Sequence, residues 1–135
     1  MQARPLLATK EPVFVDDFLQ RQIEQIADLV AAIARSPQGQ LPDDLFAQID
    51  QAYRDLLGLD SDLVDSLDTE SLRRTLHDER ERDALIDLLL AHAEASARIG
   101  DVSGAARRLD TAIALMREAD TRAETANARL VELRS

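Results

Sequence analysis

Apolar residues in this chain recur at alternating spacings of four and three, and that period admits one kind of regular structure. Leu19, Ile23, Ile26, Val30 and Ile33 carry it most plainly. On a helix of 3.6 residues per turn these five fall on one stripe, whereas on a strand they scatter over both faces. Ala27, Ala31 and Ala34 widen the stripe. The same spacing returns in Leu45, Ile49, Ala52 and Leu56, flanked by Phe46 and Tyr53. It returns again in Leu85, Leu89, Ala93 and Ala97, with Ile86 and Leu90 beside them.

Composition agrees with the period. The chain has 135 residues, 45% of them apolar, but only 3% aromatic: Phe14, Phe18, Phe46 and Tyr53. That length suits one domain with a core of its own. The core must be aliphatic, and Leu and Ala are good helix formers. With four Gly and four Pro there are too few turn residues for a sandwich of strands. The sequence therefore predicts an all-α bundle of about five to six helices over residues 16–135, preceded by an extended arm over 1–15 that holds Pro5 and Pro12. Val13, Phe14 and Val15 are expected to pin that arm to the body.

Local signals place the helices. Asp16 or Asp17 can cap the first, because an aspartate carboxylate accepts orphan backbone N–H groups and meets the positive end of the dipole. Ser36-Pro37-Gln38-Gly39 ends it near Arg35. The second opens near Pro42-Asp43-Asp44 and closes at Gly58, a good residue for a left-handed stop. These two make an N-terminal pair over 16–58. Short acidic helices follow over 59–77, one near Asp60 to Leu67 and one capped by Asp68. Residues 79–135 then form a hairpin turning at Gly100-Asp101. Its second arm starts near Val102 or Ser103 and is expected to run as one long helix almost to Ser135, about 48 Å at 1.5 Å per residue. The alternative is a break near Asp120, with Thr121-Arg122-Ala123-Glu124 as a capping box.

That last stretch carries a heptad-like seam. Leu109, Ala112, Met116, Ala119, Ala123, Ala126, Leu130 and Leu133 alternate spacings of three and four throughout. Its middle is all alanine, so a partner helix can approach closely. That partner is either another helix of the same chain or the same helix of a second copy. Because the hairpin uses the stretch up to Ala119 for itself, the candidate interface is Met116, Ala119, Ala123, Ala126, Leu130 and Leu133.

Residues 86–119 resemble a single tetratricopeptide repeat, a helix–turn–helix unit of 34 residues. Leu89 stands at its first bulky position, Ala93 at the small position of the first helix, and Gly100-Asp101 at the turn. Ala105, Leu109 and Ala112 match the small, bulky and small positions of the second helix. Ser96 replaces the usual Tyr, and Arg117 the closing Pro, which suits a helix that continues. The arrangement over most of 16–119 is also similar to a family of small bacterial proteins in which a helical pair and an Asp/Leu-rich linker precede one such hairpin. The resemblance implies a groove that binds peptides or helices and brings no activity with it.

Chemistry is weakly signalled. There is no Cys, which removes disulfides and thiolate ligands and suits a reducing compartment. His77 and His92 form no His-Glu-x-x-His pattern, and His92, one turn from Leu89, reads as a satisfied or solvated histidine at the core edge rather than a ligand. Glu24/Asp28 and Asp83/Asp87 put carboxylates one turn apart, a pattern that is usually solvated. Asp60-Ser61-Asp62 through Asp65 lacks the Gly and distal Glu of a calcium loop. No catalytic residue, cofactor or metal is expected. The net charge is −10, and all of the excess lies in residues 1–100. Such a surface repels phosphate backbones and favours basic partners. No apolar stretch nears the roughly 18 residues of a membrane span, and Met1 to Thr9 do not read as a signal peptide, so the cytoplasm is expected. Two functions follow from these features. The first is a non-enzymatic protein-interaction or scaffold module, homodimeric through the C-terminal helix in one version. The alternative is an acidic, chaperone-like or regulatory binder of a basic protein, using residues 60–94.

Overall fold

The computed structural model describes the backbone of residues 3–37 and 40–135, and side-chain surroundings over 17–37 and 40–135. Among these residues the regular structure is entirely helical. The seven helices are α1 (Ala3–Arg35), α2 (Leu45–Leu57), α3 (Ser61–Ser66), α4 (Thr69–Thr75), α5 (Glu79–Arg98), α6 (Val102–Leu115) and α7 (Ala123–Arg134).

Aspartate caps set the starts of four successive helices. The side chains of Asp60, Asp68, Asp78 and Asp101 accept the backbone N–H of Leu63, Ser71, Glu81 and Gly104, each three residues on. Part of the acidic excess thus terminates helices rather than solvating their faces. Gly58 closes α2 in the left-handed region at φ 75°, its N–H donating to the Arg54 carbonyl. Gly100 turns the chain between α5 and α6 at φ 87°.

α5 lies at the centre. Buried side chains surround it, from Ala84, Leu85 and Ile86 to Ala95 and Ser96. α1 and α2 pack on one side, and α6 folds back along it. The main core joins Ile26, Leu29 and Ile33 of α1 to Leu45, Ile49 and Tyr53 of α2 and to Leu85, Leu88 and Leu89 of α5. A smaller cluster unites Ala93, Ala106, Leu109, Ala126 and Leu130.

Three expectations need correction. Helix α1 starts at Ala3, so residues 3–15 are not an extended arm and Asp16 and Asp17 are not its cap. Pro5 falls in the first turn, where its missing N–H has no partner to lose. Leu6, Leu7, Ala8, Lys10 and Glu11 favour helix, which leaves Pro12 as the single interior cost. The expected pinning by Val13, Phe14 and Val15 falls outside the described side chains, and Gln38-Gly39 outside the described residues. The buried stripe of α1 is also rotated: it runs Leu19, Gln22, Ile26, Leu29, Ile33, while Val30 is 43% exposed. A polar Gln22 thus sits where the period seemed to favour Ile23.

The third correction concerns the last helix, which is not continuous. α6 stops at Leu115 and α7 begins at Ala123, with Ala119 left-handed at φ 67°. A non-glycine residue pays about 1–2 kcal/mol for that conformation. The return is tertiary: a straight helix would leave Ala126 and Leu130 in water, and the folded-back α7 buries both. The break falls near Asp120, but not through the capping box. Arg122 precedes α7 without a side-chain cap bond, and Asp120 instead accepts its backbone N–H at 2.9 Å. None of the described helices is long and apolar enough to cross a membrane.

Candidate functional site

The folding-back of α7 decides what becomes of the seam. Ala126 is 4% exposed and Leu130 8%, packed against Ala93 of α5 and against Ala106 and Leu109 of α6. Met116 and Leu133 are half-buried against the same cluster, Ala123 is half-buried, and Ala119 is exposed in the connecting turn. Of the candidate interface Met116, Ala119, Ala123, Ala126, Leu130 and Leu133, Ala126 and Leu130 are core within the chain, while the other four keep exposed or half-buried side chains. Heptad spacing arises from any close helix pair, and here α5 and α6 supply the partner.

Two open grooves flank α5 instead. The first, of about 350 Å³, runs between α5, α6 and α7 and is lined by Leu90, Ala93, Leu109, Thr125 and Ala126. The second, of about 340 Å³, runs between α1 and α5 and is lined by Val30, Ile33, Ala34, Leu90 and Ala91. Leu90, Glu94 and Arg122 border both, so one ridge of α5 separates them. The small Ala126 leaves the first groove partly unfilled.

Arg122 fixes the edge of this face. It donates to Asp120 at 2.7 Å, to Asp87 at 2.8 Å and to Asp83 at 3.0 Å. The carboxylate pair Asp83/Asp87 thus shares a guanidinium. Hydrogen bonds from Arg122 hold Asp120 well below the usual carboxylate range, at about 2. Along the same face Arg129 donates to Glu94 at 3.1 Å, and Arg98 to Glu94 at 3.3 Å. α7 is held by ion pairs as much as by apolar contact. Replacing Arg122 with Met is expected to loosen α7 by about 1 kcal/mol, because Asp83 and Asp87, its two partners on α5, are largely exposed. Hydrogen exchange should then speed up roughly fivefold across α7 with α5 unchanged. Uniform acceleration in both helices would contradict this assignment.

On the side of α5 away from Leu90 and Glu94 lies a buried polar cluster. The Tyr53 hydroxyl and Nδ1 of His92 share a hydrogen bond at 3.0 Å, and the His92 ring meets Phe46 edge-on. Burial pushes the Tyr53 hydroxyl up and the His92 imidazole down, to about 4; the Arg108 cation adds to the effect on His92, while Asp65 opposes it. One turn further along α5, Ser96 accepts from Arg108 at 3.0 Å, and Arg108 also donates to Asp65 at 2.7 Å. Gly104 makes room for this arginine: a Cβ there would lie 2.7 Å from Arg108 Nη1.

His92, expected at the core edge as satisfied or solvated, is buried and bonded to Tyr53. Its neighbours Tyr53, Asp65, Ser96 and Arg108 were not foreseen as a group. One signal was present: His92 and Ser96 are polar residues one turn apart, on a helix face they share with Leu85 and Leu89. Asp60, expected as part of an incomplete calcium loop, caps α3, and Asp65 pairs with Arg108. No group of three His, Asp or Glu side chains suited to a metal occurs among the described residues. No family model, curated protein or solved structure matches the chain.

Proposed function

We propose that this protein is a non-enzymatic module that binds another protein chain along the exposed face of α5. The pair of adjoining apolar grooves on either side of Leu90 and Glu94 carries this reading. Their floors are aliphatic, and their rims alternate Asp87, Glu94, Arg98 and Arg129. That is the pattern that receives an amphipathic helix, with apolar anchors one turn apart and charges to fix its direction. The tetratricopeptide-like pattern of residues 86–119 supports the same reading. The homodimeric version moves from the buried seam to this face.

A photo-crosslinking residue at Val30 or at Thr125, one in each groove, tests it in living cells. Both positions are expected to yield adducts with one protein, and the exposed Asp62 to yield none. An adduct of this chain with itself makes the occupant a second copy, which mass measurement would then show as twice 15.0 kDa. Val30→Asp is expected to weaken capture at Thr125 by at least about tenfold, near 1.4 kcal/mol. Equal labelling at Val30, Thr125 and Asp62 would remove the proposal.

A further inference from the structure

The turn between α6 and α7 is at odds with its own sequence. No Gly or Pro follows Gly104. Met116, Arg117, Glu118 and Ala119 are all good helix formers. Yet Ala119 holds φ 67°, the one positive value at a non-glycine among the described residues. An uninterrupted helix would remove that strain. The heptad seam points the same way. It runs through the turn itself, where Met116 and Ala123 are half-buried and Ala119 is exposed. A hairpin has no partner helix for seam positions in its turn; a continuous helix does. The seam is also nearly symmetric about Ala119: Leu109 balances Leu130, Ala112 balances Ala126, and Met116 balances Ala123. Such a stripe matches a second copy of itself laid antiparallel.

We propose that two copies of this chain exchange α7. Residues 116–122 become helical, α6 and α7 join into one helix, and each α7 settles on α5 and α6 of the other copy. The partners of α7 lie on those two helices. Ala126 and Leu130 pack with Ala93, Ala106 and Leu109. Arg129 pairs with Glu94 at 3.1 Å, and Arg134 with Asp110 at 2.5 Å. Arg122, just ahead of α7, reaches Asp83 and Asp87. A second copy offers the same surface, so the exchange keeps these contacts. It also brings Ala119 of the two copies together at the two-fold axis, where a small side chain permits close approach. Short connections under strain favour such swaps. The monomer is held by Asp120, which accepts the Arg122 backbone N–H at 2.9 Å and fixes the turn. Association also costs freedom of motion, so concentration sets the balance. The α5 grooves keep their walls in either form. This dimer neither requires nor blocks the partner proposed for them.

The test unfolds the full chain in urea, refolds it at high concentration and sizes it by light scattering. A dimer of twice 15.0 kDa is expected beside the monomer. Ala119→Gly relaxes the turn and weakens the continuous helix, so it should lower the association constant at least about tenfold. Asp120→Ala unfastens the turn and favours the helix, so it should raise that constant by a similar factor. The chain has no Cys, so Glu94→Cys and Arg129→Cys can be placed on separate copies. Refolded together, the two variants should be joined by a short bismaleimide into an adduct of unlike chains. Refolded apart in dilute solution and mixed only before the reagent, they should not. A parent chain that stays at 15.0 kDa overturns the proposal. A dimer without the mixed adduct overturns it too, and places the contact in the α5 grooves. So does a dimer whose association constant is unchanged by Ala119→Gly.

Discussion

Stability is expected to fall by about 3 kcal/mol between pH 6.5 and pH 4, through His92 alone. The imidazole is held at about 4 in the folded chain, below the ordinary value of 6.5, by burial first and by the Arg108 cation second. The unfolded chain therefore takes up a proton near pH 6.5, while the folded chain resists until about pH 4. Between those values unfolding binds a proton, so stability drops as pH falls and is flat above. The groups that face the ring account for the direction: Arg108 and Arg107 oppose its charging, and Asp65 and Asp101 favour it without prevailing. A second window opens lower. Asp50, held near 2 by hydrogen bonds from the Ser61 backbone and from Arg54, and Asp120, held near 2 by Arg122, lose their contribution as pH falls from about 4. Urea unfolding followed by circular dichroism at pH 7, 6, 5 and 4 separates the windows. His92→Gln keeps a polar partner for Tyr53 but cannot titrate, so its stability should be level across the upper window whatever its offset. A parent protein with no slope above pH 4.5, or a slope that survives His92→Gln, would refute the assignment.

What the sequence made legible was local. Asp68 announces a helix start because a cap acts within three residues; Asp60, Asp78 and Asp101 cap in the same way but were not read as caps. Gly58 and Gly100 announce stops because only glycine adopts positive φ cheaply. What it did not show depends on distant partners. No Gly or Pro marks the chain between Leu115 and Ala123, and Asp120-Thr121 offered a break only as the alternative; the break exists because Arg122 reaches Asp83 and Asp87 and because Leu130 finds Ala93 and Leu109. The seam from Leu109 to Leu133 was visible as a pattern, but spacing is the same whether the partner helix is intramolecular or not. Gln22 was invisible for a related reason. Hydrophobic period assigns a polar residue to solvent, and only the neighbouring Leu19, Ile26 and Leu29 carry it inward.

Arg108 poses the same problem at higher cost. Its side chain is 9% exposed, it lies in the middle of α6, and sequence alone would place it in water. Two bonds hold it inside, to Ser96 at 3.0 Å and to Asp65 at 2.7 Å, while its Nε stays unpartnered. Arg108→Met keeps the length of the stem and removes both bonds. The expected loss is about 3 kcal/mol, because a partly buried carboxylate is stranded. The Asp65 side chain keeps 22% of its exposure and has Arg107 at 3.9 Å, which holds the loss below that of a wholly buried charge. Adding Asp65→Leu removes the stranded charge, so the double variant should be more stable than Arg108→Met alone, with a coupling of about 2 kcal/mol in the cycle. Chemical denaturation of the four proteins at pH 7 measures it. A single variant within about 0.5 kcal/mol of the parent, or strictly additive losses, would show that Asp65 is satisfied by water instead. Arg108 also bears on the histidine. Without its cation beside His92, burial and the smaller effect of Arg107 still lower the imidazole, so in Arg108→Met the decline between pH 6.5 and 4 should be shallower but present. Its disappearance would mean that charge, rather than burial, holds His92 neutral.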